Sequence, residues 1–141
     1  MKAYADTSFL VSLYTLDANS PRAAARMAQV TSVLFTPFGE IELTNAIEQR
    51  LYRKEIIRHE AQQAYAALQG DIQHGWLNLT AVPVAVYAKA RQLSLDHTAR
   101  LGTRALDVLH VAAALVLNAT DFLTFDIKQA NLARAEGLRI H

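Results

Sequence analysis

At 141 residues the chain has room for one domain with one real core. Hydrophobic residues at 52% against 19% charged exclude a disordered chain, and with no cysteine any metal must be held by oxygen or histidine nitrogen. A net charge of +1 excludes the strongly basic balance of a dedicated nucleic-acid binder, so any such contact would come from a local patch.

The opening MKAYADTSFLVSLY does not read as a signal peptide, because Asp6 breaks it and no small-residue cleavage site follows a basic region. No apolar run approaches the ~20 residues that would span a bilayer. The chain is therefore expected to be complete and cytosolic, without a membrane partner, and the missing cysteines fit a reducing compartment.

Taken in order, short apolar runs alternate with longer helical patterns, which predicts an α/β domain with a mainly parallel sheet of four to five short strands flanked by helices. Ala3 to Ala5 is the first strand, closed by Asp6. Thr7 or Ser8 then caps a helix through Phe9, Leu10, Leu13 and Tyr14, leaving Asp6 free for other work. Ser20-Pro21 opens a second helix, and Val33-Leu34-Phe35 is the second strand. Thr36-Pro37 starts a helix that carries Phe38, Ile41, Glu42, Asn45, Ala46 and Gln49. Ile56 to Ile72 reads as a further helix ending near Gly75, and Trp76 to Leu79 as an edge strand with Trp76 in the core.

Pro83 begins a helix through Val86, Ala90 and Leu93. Thr103 is placed to cap a buried helix whose apolar run, Val108 to Leu117, contains His110. Asp121 to Thr124 leads into the fourth strand. Asp121 precedes it as a turn residue, and Asp126 follows it. A helix over Ile127 to Glu136 stops at Gly137, and Leu138-Arg139-Ile140 is the last strand. No linker or repeat divides residues 1–141.

Four carboxylates, Asp6, Glu42, Asp107 and Asp126, fall where strands end or core helices begin. In an open α/β sheet the residues beyond the carboxyl ends of the strands converge on one crevice. Acids gathered there repel one another unless a cation holds them, and hard oxygen ligands suit Mg²⁺ or Mn²⁺. Each acid also has an ordinary explanation as a helix cap or an ion pair, with Arg104 as the partner of Asp107. Ser8 and Thr124 are natural hydroxyl donors to an acid or to a metal-bound water.

Among the remaining polar residues, His110 lies one turn after Asp107 and could act near the site, but it reads first as a satisfied core histidine. Arg50, Arg53, Lys54 and Arg58 would share one face if the helix from Pro37 continued that far, which would suit an RNA backbone. Interleaved Glu48 and Glu55 favour a plain solvated face instead. Tyr14, Leu16, Tyr52 and Tyr65 are candidates for a subunit interface.

In their order and spacing, the segments ADTSFL, TPFGEIELTNAIEQRLY, HTARLGTRALDVLHVAAAL and FLTFDIKQANLARAEGLRI resemble the PIN-domain family across essentially the whole chain. The likeness is greatest to the VapC-type ribonuclease toxins of prokaryotic toxin–antitoxin pairs. That resemblance implies a single PIN-like domain whose acidic set is Asp6, Glu42, Asp107 and Asp126. Glu42 is taken over Glu40 because IEL-x-NA matches the family pattern. Ser8 matches the hydroxyl beside the first acid, and Thr124 the one before the last.

It further implies a Mg²⁺- or Mn²⁺-dependent endoribonuclease that hydrolyses a phosphodiester to leave a 5′-phosphate. The implied partners are a second copy of the chain and a small antitoxin that blocks the site, often with a basic residue. Two other readings stand beside it: a PIN nuclease of RNA processing or repair, and an inactive PIN-like binding module.

Overall fold

Alternation of side chains along very short strands sets the architecture. The computed structural model describes residues 2–141, beginning with β1 (Ala3–Ala5), α1 (Thr7–Tyr14), α2 (Ser20–Met27), β2 (Val33–Phe35), α3 (Pro37–Tyr52), α4 (Arg58–Gln73) and β3 (Leu77–Leu79). Then come α5 (Ala85–Leu93), a π-helical turn over Ser94–Thr98, α6 (Ala99–Leu101), α7 (Ala105–Val116), β4 (Asp121–Leu123), α8 (Ile127–Ala135) and β5 (Arg139–Ile140). All pairings are parallel, in the order β3-β2-β1-β4-β5. β1 and β4 are buried on both faces, as strands covered by helices on two sides must be.

Ala3, Ala5, Val33, Phe35 and Leu123 turn to one face, where Phe9, Leu10, Leu43, Ile47, Ala61 and Leu68 of α1, α3 and α4 cover them. Tyr4, Leu34 and Phe122 turn to the other, against Val86, Leu93, Val108, Val111 and Leu132 of α5, α7 and α8. The period of two along each strand thus divides the interior into two cores with the sheet between them. Connections run outward from β1 to β2 and β3, then return to β4 and β5. This reversal opens a crevice beyond the carboxyl ends of β1 and β4.

Several local expectations hold, and several do not. Gly75 and Gly137 lie at positive φ (77° and 85°) just beyond α4 and α8, where a residue without Cβ ends a helix at little cost. Trp76 is 56% exposed and stacks on His74, so it is not a core residue. Thr103 does not cap α7: Arg104 holds that position, and the Thr103 hydroxyl pairs with Thr98 at 2.8 Å. Among the described residues no helix is long and apolar enough to cross a membrane.

Asp121 is the first residue of β4 rather than a turn residue, and its side chain is fully buried. It lies opposite Arg139 in the β4–β5 register and accepts hydrogen bonds from Arg139 Nη2 (2.9 Å), His141 Nε2 (2.7 Å) and Thr120 Oγ1 (2.5 Å). It stands at the end of the sheet away from the crevice. Burial pushes its carboxyl up, but those three hydrogen bonds and the Arg139 charge outweigh burial and hold it at about 2. A carboxyl depressed on folding adds stability above its unfolded value, and that stability disappears as pH falls through the folded value. Urea unfolding should therefore show ~2 kcal/mol lost between about pH 4 and about pH 2, and Asp121→Asn should abolish that part of the pH dependence.

Candidate active site

Asp6 is the most buried of the four acids, with no exposed surface. The expectation that Thr7 or Ser8 caps α1 is overturned: Asp6 is the N-cap, and its Oδ1 accepts the Phe9 N–H at 2.9 Å. The two hydroxyls serve the site instead. Ser8 Oγ donates to Asp6 Oδ1 at 2.7 Å, and Thr124 Oγ1 donates to Asp6 Oδ2 at 2.5 Å. Each hydroxyl also accepts a backbone N–H from the turn after β4, Phe125 to Ser8 and Asp126 to Thr124, both at 2.9 Å. Burial raises the Asp6 carboxyl, against these hydrogen bonds and the nearby His110.

Glu42, on α3, is held from two elements. Its Oε1 accepts Thr7 Oγ1 at 2.9 Å and His110 Nε2 at 2.5 Å, while its Oε2 accepts nothing from the described residues. Burial opposes its charge, but His110 and Thr7 outweigh that and hold the carboxyl below its ordinary value. His110 is both a buried histidine and part of the site. Its Nδ1 meets Tyr4 Oη at 2.9 Å, Tyr4 Oη meets Thr36 Oγ1 at 3.2 Å, and Thr36 accepts the Gly39 N–H at 3.3 Å. Gly39 packs close to Thr36 and His110: a Cβ there would meet the His110 ring at 3.5 Å, an ordinary van der Waals contact.

Asp107 and Asp126 meet through Gln129. Asp126 is the N-cap of α8, its Oδ1 accepting the Gln129 N–H at 2.9 Å, and the Gln129 side-chain amide donates to Asp107 Oδ1 at 3.2 Å. The other Asp107 oxygen accepts the Arg104 backbone N–H at 3.0 Å, in place of the expected ion pair with its guanidinium. Gln129 Oε1 is the one buried side-chain N or O atom without a partner among the described residues.

The structure thus ties Asp6 to Ser8 and Thr124, and Asp107 to Asp126. Glu42 joins them through Thr7, the residue between Asp6 and Ser8. Thr7 and Gln129 escape the sequence reading as site residues, and His110 is ranked there first as a core histidine. A histidine inside an apolar run signals a need for a partner. A glutamine three residues after an N-cap normally reaches back to the cap, which hides its reach to another helix.

None of the four acids is paired with a lysine or arginine among the described residues; the one basic side chain in contact with any of them is the His110 imidazole, against Glu42. No three His, Asp or Glu of the described residues converge closely enough to hold an ion by themselves. The donor set fits a hard cation that keeps several waters and takes one or two carboxylates directly, with Glu42 Oε2 among the free oxygens. The basic stripe does not form. α3 ends at Tyr52, Lys54 takes φ 59°, Arg50 pairs with Asp17, and Arg58 pairs with Glu48.

An open parallel sheet with acids beyond the ends of its central strands defines an α/β protein with a crevice at its switch point. The PIN domain model matches residues 3–135, and the chain belongs to the PIN-domain family. No curated protein sequence matches it.

Similar solved structures include VapC20 of Mycobacterium tuberculosis, a toxin that cleaves the sarcin–ricin loop, with TM-score 0.70, 17% identity, and coverage of 92% of this chain and 94% of that one. VapBC2 of Rickettsia felis, bound to a promoter DNA fragment, gives TM-score 0.69 and 14% identity over 100% and 98% of the two chains. FitAcB of Neisseria gonorrhoeae gives TM-score 0.67 and 14% identity over 98% and 95%. At these identities the likeness is one of fold.

Replacing Tyr4 with Phe would leave both His110 Nδ1 and Thr36 Oγ1 without the hydroxyl they share in a buried setting. Tyr4→Phe should lower stability by about 1–3 kcal/mol, read from the urea midpoint at unchanged slope.

Proposed function

We propose that this chain is a divalent-metal-dependent endoribonuclease and the toxin of a toxin–antitoxin pair. The observation that carries the reading is the set of four carboxylates without lysine or arginine partners, at the crevice of a PIN-family sheet. Membership of the family supports a nuclease. The VapC20 toxin and the VapBC2 and FitAcB structures support the toxin role and an antitoxin partner, and the small single domain fits both. A homodimer and a cytoplasmic setting belong to the same proposal.

In this reading Asp6, Glu42, Asp107 and Asp126 hold Mg²⁺ or Mn²⁺. A bound ion would supply charge to a phosphodiester and lower the pKa of an attacking water. The chain's own part is orientation. Ser8 and Thr124 fix both oxygens of Asp6, and Thr7 with His110 turns Glu42 so that Oε2 is its free oxygen. Gln129 keeps Asp107 and Asp126 at a set separation.

A second reading, an inactive binding module, draws on the backbone partners of three acids: Asp6 and Asp126 cap helices, and Asp107 takes the Arg104 N–H.

Cleavage of mixed RNA with Mn²⁺ separates the two. Glu42→Gln and Asp107→Asn should each lose about 10²-fold or more of a chelator-sensitive activity, without loss of fold. Equal cleavage by wild type and both variants would sink the metal-site assignment. Absence of cleavage together with absence of any Mn²⁺ shift in melting temperature would favour the binding module.

Gln129→Met offers a separate check. It removes the orphaned acceptor along with the donor to Asp107, so thermal stability should hold or rise while Mn²⁺ affinity, read by calorimetry, falls about tenfold.

A further inference from the structure

Among the described residues some basic side chains are paired with acids and others are not, Lys2, Lys54, Arg91, Arg100, Arg104 and Lys128 among the unpaired. What sets three arginines apart is that they share one cleft. Arg50, Arg53 and Arg58 lie against Asp17, Glu55 and Glu48, Lys89 and His97 against Glu136, and Arg139 and His141 against Asp121. Arg22, Arg26 and Arg134 have no carboxylate partner among the described residues, and all three line one cleft of about 340 Å³ between α2 and α8. Thr124 and Asp126 of the acidic site line the same cleft, so it opens directly off that site.

Arg26 and Arg134 stand in the last turns of α2 and α8, where a cation complements the helix dipole for structural reasons alone. Arg22 has no such reason. It lies in the first turn of α2, against the dipole, with its guanidinium 5.2 Å from the centre of the Phe125 ring. That ring is itself stacked on Phe9 at 5.7 Å. An arginine oriented by an aromatic face keeps its N–H fork unspent, in a geometry that matches phosphate.

We propose that the α2–α8 cleft is the subsite that grips backbone phosphates of the RNA strand next to the scissile bond, through Arg22, Arg26 and Arg134. This rests on the ribonuclease reading above and gives it a direction: the strand leaves the acids across Thr124 and Asp126 toward α2. The α3–α4 arginines, neutralised by their own glutamates, take no part.

The test uses a fluorescein-labelled single-stranded RNA of mixed sequence. Its affinity is measured by anisotropy in chelator across a salt series, followed by kcat and KM with Mn²⁺. Arg22→Gln/Arg26→Gln/Arg134→Gln should weaken binding at least about tenfold and reduce the salt slope by about 2, at ~0.7 per lost phosphate contact. KM should rise while kcat stays within about threefold. Arg53→Gln/Arg58→Gln should leave both affinity and slope unchanged. If the triple variant loses its native circular dichroism, the single changes Arg22→Gln and Arg134→Gln carry the same expectation at a slope change of about 0.7 each.

Wild-type affinity and slope in these variants, with RNA bound by wild type, would overturn the subsite and leave the arginines to another partner. Weakening by the α3–α4 pair instead would overturn it as well. A wild-type protein that neither binds nor cleaves RNA would overturn the ribonuclease reading itself, and the subsite with it.

Discussion

A fully buried carboxylate is tolerable only when its oxygens are filled with donors, and Asp6 meets that condition with residues from both ends of the chain. Phe9 N–H and Ser8 come from the helix that Asp6 itself starts, while Thr124 comes from 118 residues away. Parallel pairing of β1 with β4 brings Thr124 there, since Ala5 lies opposite Leu123 and the next residue on each strand follows in step. The same two hydroxyls accept the Phe125 and Asp126 N–H groups, so the turn that sets Asp126 is tied to the residue that sets Asp6. Without this clasp the crevice would have neither its central acid nor a fixed mouth.

The other two acids are held by buried polar side chains from different helices. His110 links Glu42 on α3 to Tyr4 on β1, and Gln129 on α8 links Asp107 on α7 to Asp126. Partners of this kind fix the orientation of a carboxylate, and they explain polar side chains inside otherwise apolar packing. Away from the crevice Asp17, Glu48, Glu55, Asp121 and Glu136 each lie against a basic side chain, whereas of the four crevice acids only Glu42 has one, the His110 imidazole.

Much of the fold was legible from periodicity. The strands around Tyr4, Leu34 and Phe122, the Thr36-Pro37 helix start and the Gly137 stop all follow from local preferences that tertiary packing did not override. Errors arose where one residue type fits two jobs. Asp121 and Asp126 flank one apolar run and both suit a turn, yet one opens the strand and binds Arg139 while the other caps a helix. Trp76 reads as a core residue, but it stands just before the edge strand β3 and is more than half exposed. The basic stripe needed α3 to continue past Tyr52, and the positive φ of Lys54 ended it.

By itself the sequence determined the alternation of strand and helix and the positions of the acids at element boundaries, because both follow from spacing along the chain. It also determined the family, through the order of its motifs. Only the tertiary structure decided which hydroxyl serves which acid, that His110 belongs to Glu42, that Gln129 spans two helices, and which arginines stay unpaired. Those are contacts between elements far apart in sequence. Their partners are chosen by strand register and helix packing, which no local pattern encodes.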